Sequence, residues 1–284
     1  MSAAPSIEAE LDAVAQRVCE QHTLDLQGVL GAGAFKRAYL ATGTAGPIAL
    51  KVAPIVGSVD RLLREVDALR GCAHPNIATL LDAFGINEDG KEYWIVLERF
   101  LPGGTLEAKL HTGPMNEHEV RSVGVALASA LEHLHDRRLV HRDIKPANIL
   151  FDTDGSTPVL TDFGVVRMLD MPTLTRDFMG FGPGTPSYAS PEQLNNEKAL
   201  IDWRTDQFDL AIVLSECLLG GHPFMAAGKN IHSAIIEVAS RNSLPDETRL
   251  ALEQRGFGCL VRALSPWPVS RYRRPVDFLS ALGG

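Results

Sequence analysis

The chain has 284 residues, 45% of them hydrophobic and 22% charged, with a formal net charge of −8. That length suits one large domain or two modest ones sharing a cleft, and the composition supports a core and excludes global disorder. The acidic balance argues against bulk binding of nucleic acid or of an anionic membrane surface, both of which call for a basic face.

No apolar run reaches membrane-spanning length; the best, residues 210–219, is short and carries Glu216. The N-terminus has no basic region followed by an apolar stretch, so no secretion signal is expected. Cys19, Cys72, Cys217 and Cys259 are scattered without a C-x-x-C pair, which suits idle thiols in a reducing, cytoplasmic setting.

Residues 6–21 place Ile7, Leu11, Val14, Ala15 and Val18 at helical spacing, with Glu8, Glu10 and Asp12 early, where the helix dipole favours anions. This helix reads as a strut packed on the neighbouring domain; a docking or homodimer helix is the alternative. From Leu24 the period changes. Leu24, Leu26 and Val29-Leu30 suggest one strand, and Phe35 with Ala38-Tyr39-Leu40 a second. Between them runs Gly31-Ala32-Gly33-Ala34-Phe35-Lys36. Glycine lacks Cβ, so backbone N–H groups in such a turn can approach a phosphate closely. Alone, a G-x-G is an ordinary hairpin turn.

Ile48-Ala49-Leu50-Lys51-Val52 alternates like a strand. Residues 61–70 read as a helix with Leu62, Val66 and Leu69 on one face and Glu65 amid that stripe. Strands are expected at 77–84 and 92–100. Pro102-Gly103-Gly104 then breaks the chain and marks a lobe boundary.

Beyond the break, Val120, Val123, Leu127, Leu131 and Leu134 form one buried helix leading to His141. There His141-Arg142-Asp143-Ile144-Lys145-Pro146-Ala147-Asn148-Ile149-Leu150 gathers side chains suited to one job. Asp143 can accept a proton from a hydroxyl, and Lys145 can neutralise a phosphate. Asn148, and Asp162 of Asp162-Phe163-Gly164, are hard oxygen ligands of the kind Mg²⁺ prefers. Pro146 stiffens the turn by fixing φ. Residues 162–192 are rich in glycine and proline, and a long irregular insert is usually functional. Helices are expected at 202–219, 230–241 and 246–264, with a last one after Pro268-Val269-Ser270-Arg271-Tyr272.

The H-R-D-x-K-P-x-N-x-L stretch followed by D-F-G resembles the catalytic loop and metal-binding tripeptide of eukaryotic-like serine/threonine protein kinases. Gly184-Thr185-Pro186-Ser187-Tyr188-Ala189-Ser190-Pro191-Glu192-Gln193 resembles the closure of that family's activation segment, in a form common among bacterial members. The likeness covers residues 22–284. It implies an α+β, two-lobed protein kinase fold. Residues 22–100 would be a small, mainly antiparallel β N-lobe with one key helix, and residues 101–284 a larger helical C-lobe, after a helical extension at 1–21.

The same resemblance implies roles. Lys51, fixed by Glu65, positions the α- and β-phosphates of ATP; Asn148 and Asp162 hold Mg²⁺; Asp143 deprotonates the acceptor and Lys145 offsets γ-phosphate charge. Gly31 and Gly33 cover the nucleotide, with Ala38 and Ala49 above the adenine and Leu150 below it. Leu97 guards the back of the pocket, and backbone groups of Glu98 and Phe100 read the adenine edge. Thr185 shapes the acceptor site, Asp206 braces the catalytic loop and Arg271 is the buried partner of Glu192. Arg142 pairs with a phosphate on Thr173 or Thr175. Lysine two residues after the catalytic aspartate is the serine/threonine form.

Two departures stand out: Lys36 replaces the third glycine of the nucleotide-covering loop, and Ala38 replaces the usual valine. The expected activity is transfer of the ATP γ-phosphate to serine or threonine hydroxyls of a protein substrate, with autophosphorylation. The departures support the alternative of a nucleotide-binding pseudokinase scaffold without turnover. A small-molecule phosphotransferase on a related fold is the second rival; the Ser-Pro-Glu segment, Asp206 and Arg271 argue against it.

Overall fold

Alternating apolar residues on five successive strands build the first layer of the computed structural model, which describes residues 6–33, 36–55, 66–67, 69–163, 186–225 and 228–284. These strands are β1 (Asp25–Ala32), β2 (Arg37–Gly43), β3 (Gly46–Pro54), β4 (Leu80–Glu88) and β5 (Lys91–Arg99). They form one antiparallel sheet in the order β1-β2-β3-β5-β4. Strand β5 is therefore paired on both sides.

Both faces of that strand are covered, by different things. Helix α1 (Ile7–Gln21) lays Leu11, Val14, Ala15, Val18 and Cys19 against Tyr39, Leu50, Val52, Ile95 and Leu97 on one face. Ser6 caps the helix by accepting the N–H of Ala9, and Lys91 ties it to the sheet through Glu10 at 2.7 Å. The strut reading of residues 6–21 describes this packing. Of the apolar stripe, Leu11, Val14, Ala15 and Val18 are buried within the chain, while Ile7 stays exposed. On the other face, Trp94 packs with Ala83 and with the helical residues Val66 and Leu69.

The second lobe is helical: α2 (Leu106–Leu110), α3 (Glu117–Asp136), α4 (Pro191–Leu194), α5 (Trp203–Leu219), α6 (Ile231–Ala239), α7 (Asp246–Gln254), α8 (Gly258–Ala263) and α9 (Pro275–Gly283). Helix α3 starts at a reciprocal cap in which Asn116 and Glu119 satisfy each other's backbone N–H groups. Helix α5 is buried nearly all round, which its continuous apolar run requires, and ends at Gly220 in the left-handed region. The single helix expected at 246–264 is two. Gly256 at φ +77° breaks it, and the turn drives Phe257 fully into the core.

Two short elements shape the junction between the lobes. Strands β6 (Ile149–Phe151) and β7 (Pro158–Leu160) form a hairpin that joins Asn148 to Asp162. Gly103 donates to the carbonyl of Phe151, and Phe151 donates to that of Gly104, both at 2.9 Å. A Cβ on Gly103 would lie 2.5 Å from the Asp152 carbonyl, so the Pro-Gly-Gly break is a close backbone crossing that only glycine permits.

Candidate active site

The loop between α3 and β6 is held from beneath. Asp206, on the first turn of α5, accepts the backbone N–H groups of His141 and Arg142, both at 2.7 Å. Burial drives the Asp206 carboxyl up to about 7, against the pull of those two N–H donors and of Arg142. The ring of His141 is fully buried; its Nε2 meets the Thr161 carbonyl at 2.9 Å and its Nδ1 accepts the Asp143 N–H at 3.3 Å. Burial lowers its pKa to about 4, so it is neutral near pH 7 and serves as a rigid spacer. Gln193 pins the loop from the other side by donating to the Arg142 carbonyl.

These supports aim Asp143, Lys145 and Asn148 at one another. Asp143 Oδ2 accepts from Lys145 Nζ at 3.1 Å and from Asn148 Nδ2 at 3.0 Å. Asn148 Nδ2 also donates to the Asp143 carbonyl, which commits its amide nitrogen and leaves Oδ1 as the acceptor. The Thr161 N–H binds the Asn148 carbonyl at 2.9 Å, so Asn148 sits beside the Asp162 backbone. Arg142 and Asp162 both have left-handed φ, +66° and +61°. Neither is glycine, and each such residue costs about 1–3 kcal/mol, a cost found where geometry is dictated by function.

Asp162 lies at the centre of a second cluster. Lys51 Nζ is 3.0 Å from Asp162 Oδ1, and Lys36 Nζ is 2.8 Å from Asp162 Oδ2. Burial alone would raise the Asp162 carboxyl, but Lys51 and Lys36 outweigh it and hold the group ionised, far below the usual carboxylate range. Lys51 Nζ also meets Glu98 Oε2 at 2.5 Å. Burial would lower the Lys51 pKa, but Asp162 and Glu98 together keep the ammonium firmly charged. Phe163 follows directly and stacks edge-on against His141 at 4.8 Å. It also packs with Val66, Leu69 and Trp94, so it links the loop to the small lobe.

Strand register fixes the other expected positions. Ala38 lies opposite both Gly31 and Lys51, and Ala49 is two residues from Lys51 on the same face. Leu150 packs at the edge of a small cluster of Ala78, Leu101 and Val159. The Gly33 N–H binds the Lys36 carbonyl at 2.8 Å, closing the turn.

Two expectations are corrected here. Leu97 does not guard the cleft: it is buried on the opposite face of the sheet, against α1. The side chain at that place is Glu98, which lines the cleft with Lys51, Val96 and Asp162. Nor is the Glu98 backbone free to read a base, because Glu98 is paired with Ala49 on one side and Leu80 on the other. The strand ends at Arg99, whose N–H still binds the Thr79 carbonyl, and Phe100 follows just beyond its ladder. Glu65, Thr173, Thr175 and Thr185 lie outside the described residues. Among the described residues, the carboxylates on Lys51 are Glu98 and Asp162.

Farther from the cleft, the expected partner of Glu192 is in place. Arg271 Nη1 is 2.7 Å from Glu192 Oε1 with neither side chain exposed, and Thr205 donates to the same oxygen.

A five-stranded lobe, a helical lobe and a carboxylate–lysine–amide cluster between them define a two-lobed phosphoryl-transfer architecture. The chain belongs to the protein kinase domain family, whose model matches residues 24–257. It is 35% identical over 272 residues to the serine/threonine-protein kinase PknF of Mycobacterium tuberculosis, covering 89% of this chain and 54% of that protein. It is 34% identical over 211 residues to serine/threonine-protein kinase 36 of Pongo abelii, covering 72% of this chain and 15% of that protein. It is also 34% identical over 212 residues to CBL-interacting protein kinase 4 of Oryza sativa subsp. japonica, covering 70% and 45%. The chain thus spans about half the length, or less, of these curated relatives.

Proposed function

We propose that this chain transfers the γ-phosphate of ATP to serine or threonine hydroxyls of a protein substrate. The observation that carries the reading is the convergence of Asp143, Lys145 and Asn148 on one side of the cleft with Lys51 and Asp162 on the other. The names of the relatives, serine/threonine-protein kinases among them, support the same acceptor class.

The donor set suits Mg²⁺: the ionised carboxylate of Asp162 and the amide oxygen of Asn148, whose nitrogen is the atom bound to Asp143, are hard ligands, and this metal keeps room for phosphate oxygens and water. Asp162 and Asn148 would hold the ion, which would supply positive charge to offset that of the phosphates. Lys51 brings a fixed positive charge to the phosphates. Asp143 accepts the proton of the acceptor hydroxyl, and Lys145, already beside it, neutralises charge on the transferring group. Gly31 lies open above, with nothing within 4 Å of a Cβ built on it, so its backbone can come close to a nucleotide.

Control falls to Arg142. Its Nε is buried without a hydrogen-bond partner among the described residues, beside the catalytic aspartate. A phosphate on Thr173 or Thr175 would satisfy it, since such a group adds about −1.5 to −2 charge and strong acceptor oxygens. A Thr173→Ala, Thr175→Ala variant is then less active than the parent.

The protein is read as cytoplasmic. Among the described residues no helix is long and apolar enough to cross a membrane, and the four cysteines are free. Incubation with γ-labelled ATP and Mg²⁺, then mapping of the modified residues, tests the function. Label on serine or threonine supports it, and label confined to a small-molecule acceptor overturns it.

A further inference from the structure

Glu98 does something at the back of the cleft that no general feature of a nucleotide pocket requires. It is 6% exposed, and its carboxylate would be costly to bury without a counter-charge. That counter-charge is Lys51, 2.5 Å away. The contact follows from register: Lys51 lies opposite Val96 and Ala49 opposite Glu98, so the two side chains share the cleft face on neighbouring strands. Both strands are paired on each side in the sheet, which makes this anchor rigid.

Lys51 has one other carboxylate among the described residues, Asp162, and that one is a metal ligand in the proposed reaction. Asp162 already divides itself between Lys51 and Lys36. A divalent cation held by Asp162 would draw on the same oxygens and so would weaken their hold on Lys51. Glu98 has no such second duty. Its strand does not contribute to the metal site, and its carboxylate stays behind the ammonium.

We propose that Glu98 is a positioning residue that anchors Lys51 for phosphate binding from within the sheet. This inference rests on the proposed ATP-dependent function. It assigns an acidic side chain at the back of the pocket a role in holding a cation, where an apolar residue would only bound the base.

The test is a double-mutant cycle on nucleotide binding, so turnover is not needed. Equilibrium binding of Mg-ATP and of adenosine is measured for the parent chain and for Glu98→Gln, Lys51→Met and the double variant. Glu98→Gln keeps shape and removes the charge. It is expected to weaken Mg-ATP binding roughly tenfold, the scale of one charge-assisted hydrogen bond. Adenosine, which has no phosphates, binds with unchanged affinity. In the Lys51→Met background the Glu98→Gln effect vanishes, because there is no ammonium left to position.

Equal loss in both backgrounds, or tighter Mg-ATP binding by Glu98→Gln, overturns the proposal; the latter would mean that Glu98 competes with phosphates for Lys51. If Glu98→Gln loses adenosine binding, Glu98→Met goes through the same cycle, and a Mg-ATP loss no larger than the adenosine loss also overturns it. A parent chain that binds adenosine but gains nothing from the phosphates overturns the functional reading as well, which separates the two failures.

Discussion

Lys36 Nζ lies 2.8 Å from Asp162 Oδ2, so a lysine of the glycine-rich turn caps the carboxylate expected to bind the metal. The residue that replaces the family's third glycine is therefore engaged in the cleft. A cation held by Asp162 in the proposed reaction would have to displace this ammonium, which would then be free to meet phosphate oxygens. Lys36→Met removes the competitor. The half-saturating Mg²⁺ concentration is expected to fall severalfold, while the KM for ATP at saturating Mg²⁺ rises as a short-range attraction is lost. Titration of activity with Mg²⁺ at fixed ATP reads the first effect. Unchanged Mg²⁺ dependence would show that the contact plays no part in metal entry.

The Glu192–Arg271 pair predicts a stability effect remote from the chemistry. Both side chains are fully buried, and Arg271 also donates to the carbonyls of Ser265 and Arg204. Removing one partner strands a buried charge, at a cost of about 3–5 kcal/mol. Glu192→Gln should lower the denaturation midpoint accordingly. A midpoint within experimental error of the parent would mean that water reaches the site on substitution.

Asp209 predicts a pH effect. It is buried in α5, its Oδ1 has no hydrogen-bond partner among the described residues, and burial raises its pKa well above the usual value, with Asp206 and Glu192 adding and Arg271 opposing. The native state therefore keeps a proton that the unfolded chain releases. Over the interval from the ordinary carboxylate pKa upward, the native state binds more protons, so stability falls as pH rises. Asp206, raised to about 7, adds the same sign between about pH 4 and 7. Asp209→Asn lacks its share of the slope. Its stability relative to the parent should increase from about pH 5 to about pH 8 in denaturant titrations. Parallel stability curves would contradict the assignment.

Much of this site is legible in the sequence because its residues are close together in the chain. Asp143, Lys145 and Asn148 fall within one short loop, so spacing alone brings them together. Asp206 and Arg271 are distant in sequence, yet the family resemblance implies their contacts with the catalytic loop and with Glu192. Glu98 is less readable for a physical reason. Trp94, Val96 and Glu98 alternate with Tyr93, Ile95 and Leu97, but both faces of β5 are covered, one by α1 and the other by the cleft. With no polar face to orient the strand, only the pairing of β5 with β3 shows which set points at Lys51. The hairpin β6–β7 is unreadable because three-residue strands carry no period. The break at Gly256 is hidden because apolar residues continue at helical spacing on both sides of it.

In the proposed reaction Asp143, held by Lys145 and Asn148, accepts the proton of a protein hydroxyl while the cleft holds Mg-ATP. The most direct measurement compares transfer of labelled γ-phosphate to protein serine and threonine by the parent chain and by Asp143→Asn, with Mg-ATP affinity measured in parallel. The variant keeps the shape of the side chain and its contact with Lys145 but gives up proton-accepting capacity. Transfer should drop by about 10²–10⁴-fold with nucleotide affinity nearly unchanged. A parent chain that binds Mg-ATP yet transfers no phosphate, or an Asp143→Asn variant that transfers at the parental rate, would contradict the account.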